Sequence, residues 1–207
     1  MARHPALIAF EGIDGSGKSS VLRGLLERLR ARGGDPLTLR EPGGTPLGER
    51  VRGLLLDAEL RRAPAAELLL FQAARAELVA EVIRPALAAG RTVISDRFCD
   101  STRAYQGSGL GLPRETVEAA IHAATDGLEP GLVILLDVTP ELGLNRSDSR
   151  GRRDAIEERA EAFLGRVREG YLELARENPE HWLVFDGARP LEELIDEVAA
   201  LVVERLG

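Results

Sequence analysis

Five short apolar runs punctuate the chain: Ala6–Phe10, Pro36–Arg40, Thr92–Ser95, Leu132–Leu136 and Trp182–Phe185. Their length suits buried strands. The stretches between them carry apolar residues at helical spacing. Ser19–Arg32 places leucines at 22, 25, 26 and 29, and Leu47–Asp57, Ala65–Ala89, Arg114–Thr125, Pro140–Arg150, Asp154–Glu177 and Pro190–Arg205 also read as helices. Strands alternating with helices in this way predict an α/β fold, a parallel five-stranded sheet flanked by helices on both faces. The 207 residues make one domain, 1–207, large enough for a continuous core. No repeat, low-complexity tract or linker suggests a second.

Ligands of such sheets bind outside the carboxyl ends of the strands, and the polar motifs of this chain fall there. After the first strand comes Gly12-Ile-Asp-Gly-Ser-Gly-Lys-Ser19, the Gly-x4-Gly-Lys-Ser spacing of a phosphate-binding P-loop. In that motif backbone N–H groups wrap the phosphates, the lysine reaches the β and γ oxygens, and the serine hydroxyl ligates Mg²⁺. The strand before it and the helix after it supply the required context, because a helix N-terminus adds partial positive charge to an anion site. Composition sharpens the reading. Of 27 basic residues, Lys18 is the single lysine. A position that keeps an ammonium in an otherwise all-arginine chain calls for a compact, movable charge in place of a planar fork.

Charge and cysteine content bound the partners. The formal net charge of −7 argues against nonspecific nucleic-acid binding and against an anionic membrane surface. No signal-like N-terminus and no apolar run of membrane-spanning length is present. The lone Cys99 cannot form an internal disulfide, which fits a reducing cytoplasm, and it reads as a packing residue. His4, His122 and His181 form no ligand pattern and are expected at the surface or edges.

Five further constellations accompany the P-loop. Asp96-Arg97 closes the third strand; an acid there can hold Mg²⁺ through water or help deprotonate an acceptor, and the arginine can neutralise a phosphoryl oxygen. The alternative is a plain surface ion pair. Arg40-Glu-Pro-Gly-Gly-Thr45 follows the second strand, and Arg40, Arg52 and Arg97 together would make a cationic pocket for a second phosphate. Phe71 and Arg75, four apart, share a helix face; an aromatic beside a guanidinium suits a flat base, although Phe71 fits the core equally. Asp100–Gly107 offers Ser101, Tyr105 and Gln106, as pocket groups or as an exposed helix face. Asn145–Arg153 is arginine-rich and reads either as a solvated loop or as a basic lid at about 145–155. The lid is favoured because Ile13, Asp14, Gly15 and Ser16 bring no cation into the P-loop. Asp14 itself is unexpected in a phosphate loop, unless its side chain turns away from the phosphates.

Taken in order, Phe10-Glu-Gly-Ile-Asp-Gly-Ser-Gly-Lys-Ser, Arg40-Glu-Pro-Gly-Gly-Thr, Phe71 to Arg75, Asp96-Arg97-Phe98, Ser101 to Gly107, Leu136-Asp-Val-Thr-Pro140 and Tyr171-Leu-Glu-Leu resemble the thymidylate kinases over nearly the whole length. The resemblance implies a P-loop nucleoside monophosphate kinase-like fold and the conversion of dTMP and ATP to dTDP and ADP with Mg²⁺. It implies that Gly12, Ile13, Asp14, Gly15, Ser16, Gly17, Lys18 and Ser19 bind ATP, and that Arg40, Arg52 and Arg97 hold the dTMP phosphate. It further implies that Phe71 stacks on thymine, Arg75 and Gln106 help read it, Tyr105 crowds the 2′ position, and Ser101 belongs to the same substrate site. Ser19 and Asp96 would serve the metal, Asp14 would approach the acceptor sugar and phosphate, and the loop around Asp186–Pro190 would lie against adenine. A P-loop with no basic residue at its variable positions 13–16 resembles the bacterial subgroup in which a lid arginine is catalytic. Arg146, Arg150, Arg152 and Arg153 are the candidates, with Arg152 and Arg153 standing just upstream of Asp154-Ala-Ile-Glu157, where many relatives have Asp-Arg-aliphatic-Glu. A homodimer is also implied.

A GTPase would need Asn-Lys-x-Asp, but Asn145 and Asn178 are followed by Arg and Pro. A kinase for UMP or CMP stays open, since base choice rests on a few contacts near Phe71, Arg75 and Gln106. A noncatalytic nucleotide-binding protein fits the acceptor arginines poorly.

Overall fold

The computed structural model describes residues 2–148 and 161–206. Its five strands are β1 (Ala2–Glu11), β2 (Leu37–Arg40), β3 (Val93–Asp96), β4 (Leu128–Asp137) and β5 (Trp182–Asp186), all parallel in the order β2-β3-β1-β4-β5. Successive residues of β1 serve opposite layers. Leu7 and Ala9 enter one core with Val93, Val133 and Leu135, while Ile8 and Phe10 enter the other with Ile94, Ile134 and Leu136. Burial on both faces is why these runs are continuously apolar.

One face is covered by α1 (Lys18–Ala31) and α9 (Leu191–Leu206), through Val21, Leu25, Ile195 and Val198. The other is covered by α3 (Pro64–Leu78), α6 (Arg114–Thr125) and α8 (Glu161–Glu177), through Leu78, Ile121 and Val167. The helix α2 (Pro46–Leu56) starts where its chemistry dictates: the Thr45 hydroxyl accepts from Gly48 N at 2.9 Å and Pro46 occupies the first turn. The helix α7 (Pro140–Asp148) leads from β4 toward residues 149–160.

The expected single helix over 65–89 is broken in type. α3 passes into a π-helical turn, Val79–Ile83, and then α4 (Arg84–Ala88). Pro85 accounts for this, since it offers no N–H and its ring collides with the carbonyl four residues back, so the preceding turn widens. The segment after β3 is α5 (Cys99–Thr102) followed by a second π-helical stretch, Arg103–Gly109. The exposed-face alternative for this segment is excluded, because Ser101, Thr102, Tyr105 and Gln106 are all buried. Cys99 is fully buried, as a packing residue should be. β1 begins earlier than the run 6–10 suggests, with a register shift between His4 and Ile8.

This π-helical stretch is fastened from behind by Arg103. Its guanidinium donates to Asp100 at 2.9 Å, to Glu118 at 2.7 Å and to Glu129 at 2.7 Å, joining α5, α6 and β4. Three carboxylates on one cation leave an excess of negative charge. Burial, with Glu129 and Glu11 adding to it against the pull of Arg103, pushes the Asp100 carboxyl up to about 6. A folded-state value above the unfolded one, about 3.9, means that ionised Asp100 costs stability above pH 6, and that this cost fades as pH falls toward 4. Asp100→Asn is therefore expected to stabilise the fold at pH 8 by on the order of 1 kcal/mol, a Tm gain of roughly 2–4 °C. The gain should shrink by pH 4.5. Thermal melts of both proteins across this range test it, and an unchanged or lowered Tm at pH 8 would refute the assignment.

Candidate active site

Parallel register brings three strand ends into line: Phe10 of β1 pairs with Asp96 of β3, and Asp96 with Arg40 of β2. Above them opens a cavity of about 360 Å³. Asp14 to Ser19, Arg40, Arg52, Phe71, Arg75, Asp96, Arg97, Ser101, Tyr105 and Gln106 all line it. Gly12 and Ile13 do not; Ile13 is a core residue, and both lend the loop their carbonyls.

The P-loop is shaped by glycines at positive φ. Gly15 (φ +77°) packs against α7 so closely that a Cβ there would overlap the Gly143 carbonyl. Lys18 folds back over the loop, its Nζ donating to Gly12 O at 2.8 Å and Ile13 O at 3.1 Å. Burial and the neighbouring Arg97 lower its pKa to about 8, against the opposing pull of Asp96, Asp14 and Glu11. At the start of α1, Ser19 Oγ donates to Asp96 Oδ2 at 3.4 Å. A hydroxyl beside a carboxylate fits Mg²⁺, which takes few protein oxygens and keeps waters and phosphate oxygens. Among the described residues there is no group of three or more His, Cys, Asp or Glu side chains that could hold a metal ion.

Arg97 sits at the centre, with its backbone in the left-handed region (φ +75°) and its N–H bonded to Phe10 O. Its Nη2 donates to Asp14 Oδ1 at 2.7 Å and to the Tyr105 hydroxyl at 3.2 Å. Its Nη1 donates to Ser101 Oγ at 3.1 Å and to the Tyr171 hydroxyl at 3.2 Å. This explains the carboxylate in a phosphate loop. Asp14 turns to Arg97, and although burial raises its pKa, Arg97, Lys18 and the Tyr105 hydroxyl outweigh that and hold it below the usual range. Behind Arg97 lies Glu11, fully buried, which accepts from Ser101 Oγ at 2.5 Å, Tyr171 at 2.8 Å and Phe98 N at 2.8 Å. Burial lifts its carboxyl despite Arg97 and these donors. Glu11 and Tyr171 belong to quoted motifs yet carry no role that sequence reasoning assigns; for Glu11 the available signal was a carboxylate placed between the first apolar run and the P-loop.

The remaining cations differ in their surroundings. Arg40 is exposed and pairs with Glu49 at 3.1 Å; Arg52 donates to Pro42 O at 2.9 Å. Phe71 is partly buried against Val51, Leu55 and Ala74 and lines the cavity. Arg75 is buried and engaged by the protein on all three nitrogens, through Glu41, Gln72, Thr102 and the Phe98 carbonyl. Gln106 donates to Glu67 at 2.9 Å. Of the lid arginines, Arg146 lies in the last turn of α7 and donates to Gly187 O at 2.9 Å, while Arg150, Arg152 and Arg153 lie outside the described residues. The loop at Gly187 packs on the P-loop at the Ser16 carbonyl, beside the cavity.

A P-loop and a second cationic cluster facing one cavity on this sheet define a P-loop phosphotransferase of the nucleoside monophosphate kinase-like class. Residues 10–198 match the thymidylate kinase family model. Curated proteins named thymidylate kinase are similar throughout: one from Deinococcus radiodurans is 48% identical over 96% of each chain, one from Dinoroseobacter shibae 48% over 97% of each, and one from Geotalea uraniireducens 44% over 96% of this chain and 97% of its own. The chain belongs to the thymidylate kinase family, nucleotide-binding enzymes that act as phosphotransferases.

The lowered pKa of Lys18 has a measurable consequence. Phosphates prefer the charged ammonium, so affinity for a nucleoside triphosphate should fall as pH rises past about 8. Calorimetric titrations between pH 7 and 9.5 would show it; a constant affinity would refute the coupling.

Proposed function

We propose that the protein transfers the γ-phosphoryl group of ATP to dTMP, giving dTDP and ADP on the route to dTTP for DNA replication. The observation that carries this reading is the Arg97–Asp14 pair at 2.7 Å, which joins the donor loop to the acceptor cations across one cavity. A nucleotide hydrolase has no need for the second cluster.

In this reading the backbone of Gly12 to Ser19 and the Lys18 ammonium bind the ATP phosphates. Arg40, Arg52 and Arg97 hold the dTMP 5′-phosphate, whose oxygens compete with Asp14 for Arg97. Asp14, released in part, faces the acceptor sugar and phosphate. Phe71 stacks on the base, Gln106 and Arg75 border it, and Tyr105 limits room at the 2′ carbon, with Ser101 anchoring Arg97. Ser19 and Asp96 are the residues that would hold Mg²⁺, which neutralises charge on the donor phosphates. Arg152 or Arg153 supplies the second cation that Ile13, Asp14, Gly15 and Ser16 of the P-loop do not. The same reading has one kinase domain working in the cytoplasm as a homodimer. Exposed Leu54 and Leu69 on α2 and α3 offer apolar surface for a second copy, and among the described residues no helix is long and apolar enough to cross a membrane.

A coupled assay of ADP release with dTMP, UMP, CMP and thymidine offered separately tests the function. Turnover should be confined largely to dTMP; equal rates with UMP would overturn the thymidylate assignment. Lys18→Arg keeps the charge but brings a bulky fork into the loop, and is expected to lose most of kcat. Arg152→Ala or Arg153→Ala should lower kcat by roughly 10³. Near-normal kcat when each of Arg146, Arg150, Arg152 and Arg153 is removed singly would mean that the catalytic cation lies elsewhere or is redundant.

A further inference from the structure

The structure assigns Glu67 as the positioning residue that sets the hydrogen-bonding polarity of the base pocket. Glu67 lies in the first turn of α3, 3% exposed, and with Phe71 and Arg75 it forms a row at i, i+4 and i+8 on one helix face. Phe71 and Arg75 reach the cavity; Glu67 stands behind, and its Oε1 accepts from Gln106 Nε2 at 2.9 Å. Gln106 is 2% exposed and lines the cavity from the π-helical stretch.

A glutamine amide can present either its nitrogen or its oxygen to a neighbour, and nothing intrinsic decides which. An ionised carboxylate accepts only, so Glu67 draws the amide nitrogen to itself and turns the Gln106 carbonyl oxygen the other way. The neighbouring Arg75 has its nitrogens engaged by Glu41, Gln72, Thr102 and Phe98. The Gln106 amide lines the same cavity and is the group there that can present either a donor or an acceptor by turning over.

The chemistry of pyrimidines gives this polarity a meaning. Thymine and uracil carry N3–H, a donor; cytosine carries an unprotonated N3, an acceptor. A fixed carbonyl oxygen accepts from the first pair and repels the second, and a buried unpaired acceptor is costly. Glu67, without touching the substrate, thereby excludes cytidylates. The inference rests on the dTMP reading of the cavity.

The test measures kcat and KM for dTMP and dCMP, with ATP, in wild type and in Glu67→Gln. The variant side chain has the same shape but can donate or accept, so the Gln106 amide is free to flip. We expect kcat with dTMP and KM for ATP within about twofold of wild type, and a preference for dTMP over dCMP reduced about tenfold. The swapped double variant Glu67→Gln/Gln106→Glu places an obligate acceptor at 106 and should restore the preference, which a purely structural role for Glu67 would not produce. Melting curves check folding, and the double variant answers the question if Glu67→Gln alone is unstable. A wild-type preference that survives in folded Glu67→Gln, or a double variant without restored preference, would overturn the proposal. A wild-type protein with no preference for dTMP would instead overturn the thymidylate reading beneath it.

Discussion

A guanidinium largely withdrawn from water must be neutralised and hydrogen-bonded where it stands, and at Arg97 that requirement organises the whole site. Its partners come from four places in the chain: Asp14 in the P-loop, Ser101 in α5, Tyr105 in the π-helical stretch and Tyr171 in α8. The two hydroxyls at 101 and 171 both bond the Glu11 carboxylate, so the charge behind Arg97 reaches it by relay. Nη1 is held from inside the protein, while Nη2 faces Asp14 and the cavity. An incoming phosphate thus meets a cation that is already aimed, which is what preorganisation means for phosphoryl transfer.

The same logic runs outward. Arg75 ties α3 to the β2 loop and to Phe98 through Glu41 and its carbonyl partner, and Arg103 ties the π-helical stretch to α6 and β4. These buried pairs stabilise little against well-packed apolar alternatives, but breaking any one leaves an uncompensated charge. They hold the cavity walls in one arrangement. The π-helical path of Arg103–Gly109 fits this role, since π turns concentrate where a side chain must be re-aimed at a site.

The family assignment and the physical reading agree on what the cavity is built for. Similarity to thymidylate kinases runs through nearly all of the chain, and most residues that line the cavity come from the motifs quoted above, with Ser20, Arg52 and Leu56 added to them. Arg75 is the informative case. The resemblance gives it to the base; in the structure it lines the cavity and is at the same time engaged on all its nitrogens by Glu41, Gln72, Thr102 and the Phe98 carbonyl.

Local chemistry was legible in the sequence because it depends on neighbours along the chain. Five strands, their alternation with helices, the P-loop between β1 and α1, and the placing of Asp96-Arg97 at a strand end all follow from periodicity and spacing. The helix over 65–89 was legible as a helix, but its π-helical turn was not, because Pro85 forces a change whose form depends on what packs around it. What joins distant segments was decided by the tertiary structure alone. Nothing in the sequence shows that Tyr171 would meet Glu11 from 160 residues away, or that Glu67 would orient Gln106. The direction of Asp14 was undecided for the same reason, since a carboxylate in a phosphate loop is tolerable only with a guanidinium opposite, and Arg97 arrives there through the parallel pairing of β1 with β3. Burial decides the rest. A charged residue reads identically in sequence whether it faces water or the core, and only the folded chain fixes which carboxylates are desolvated and which cations must answer them.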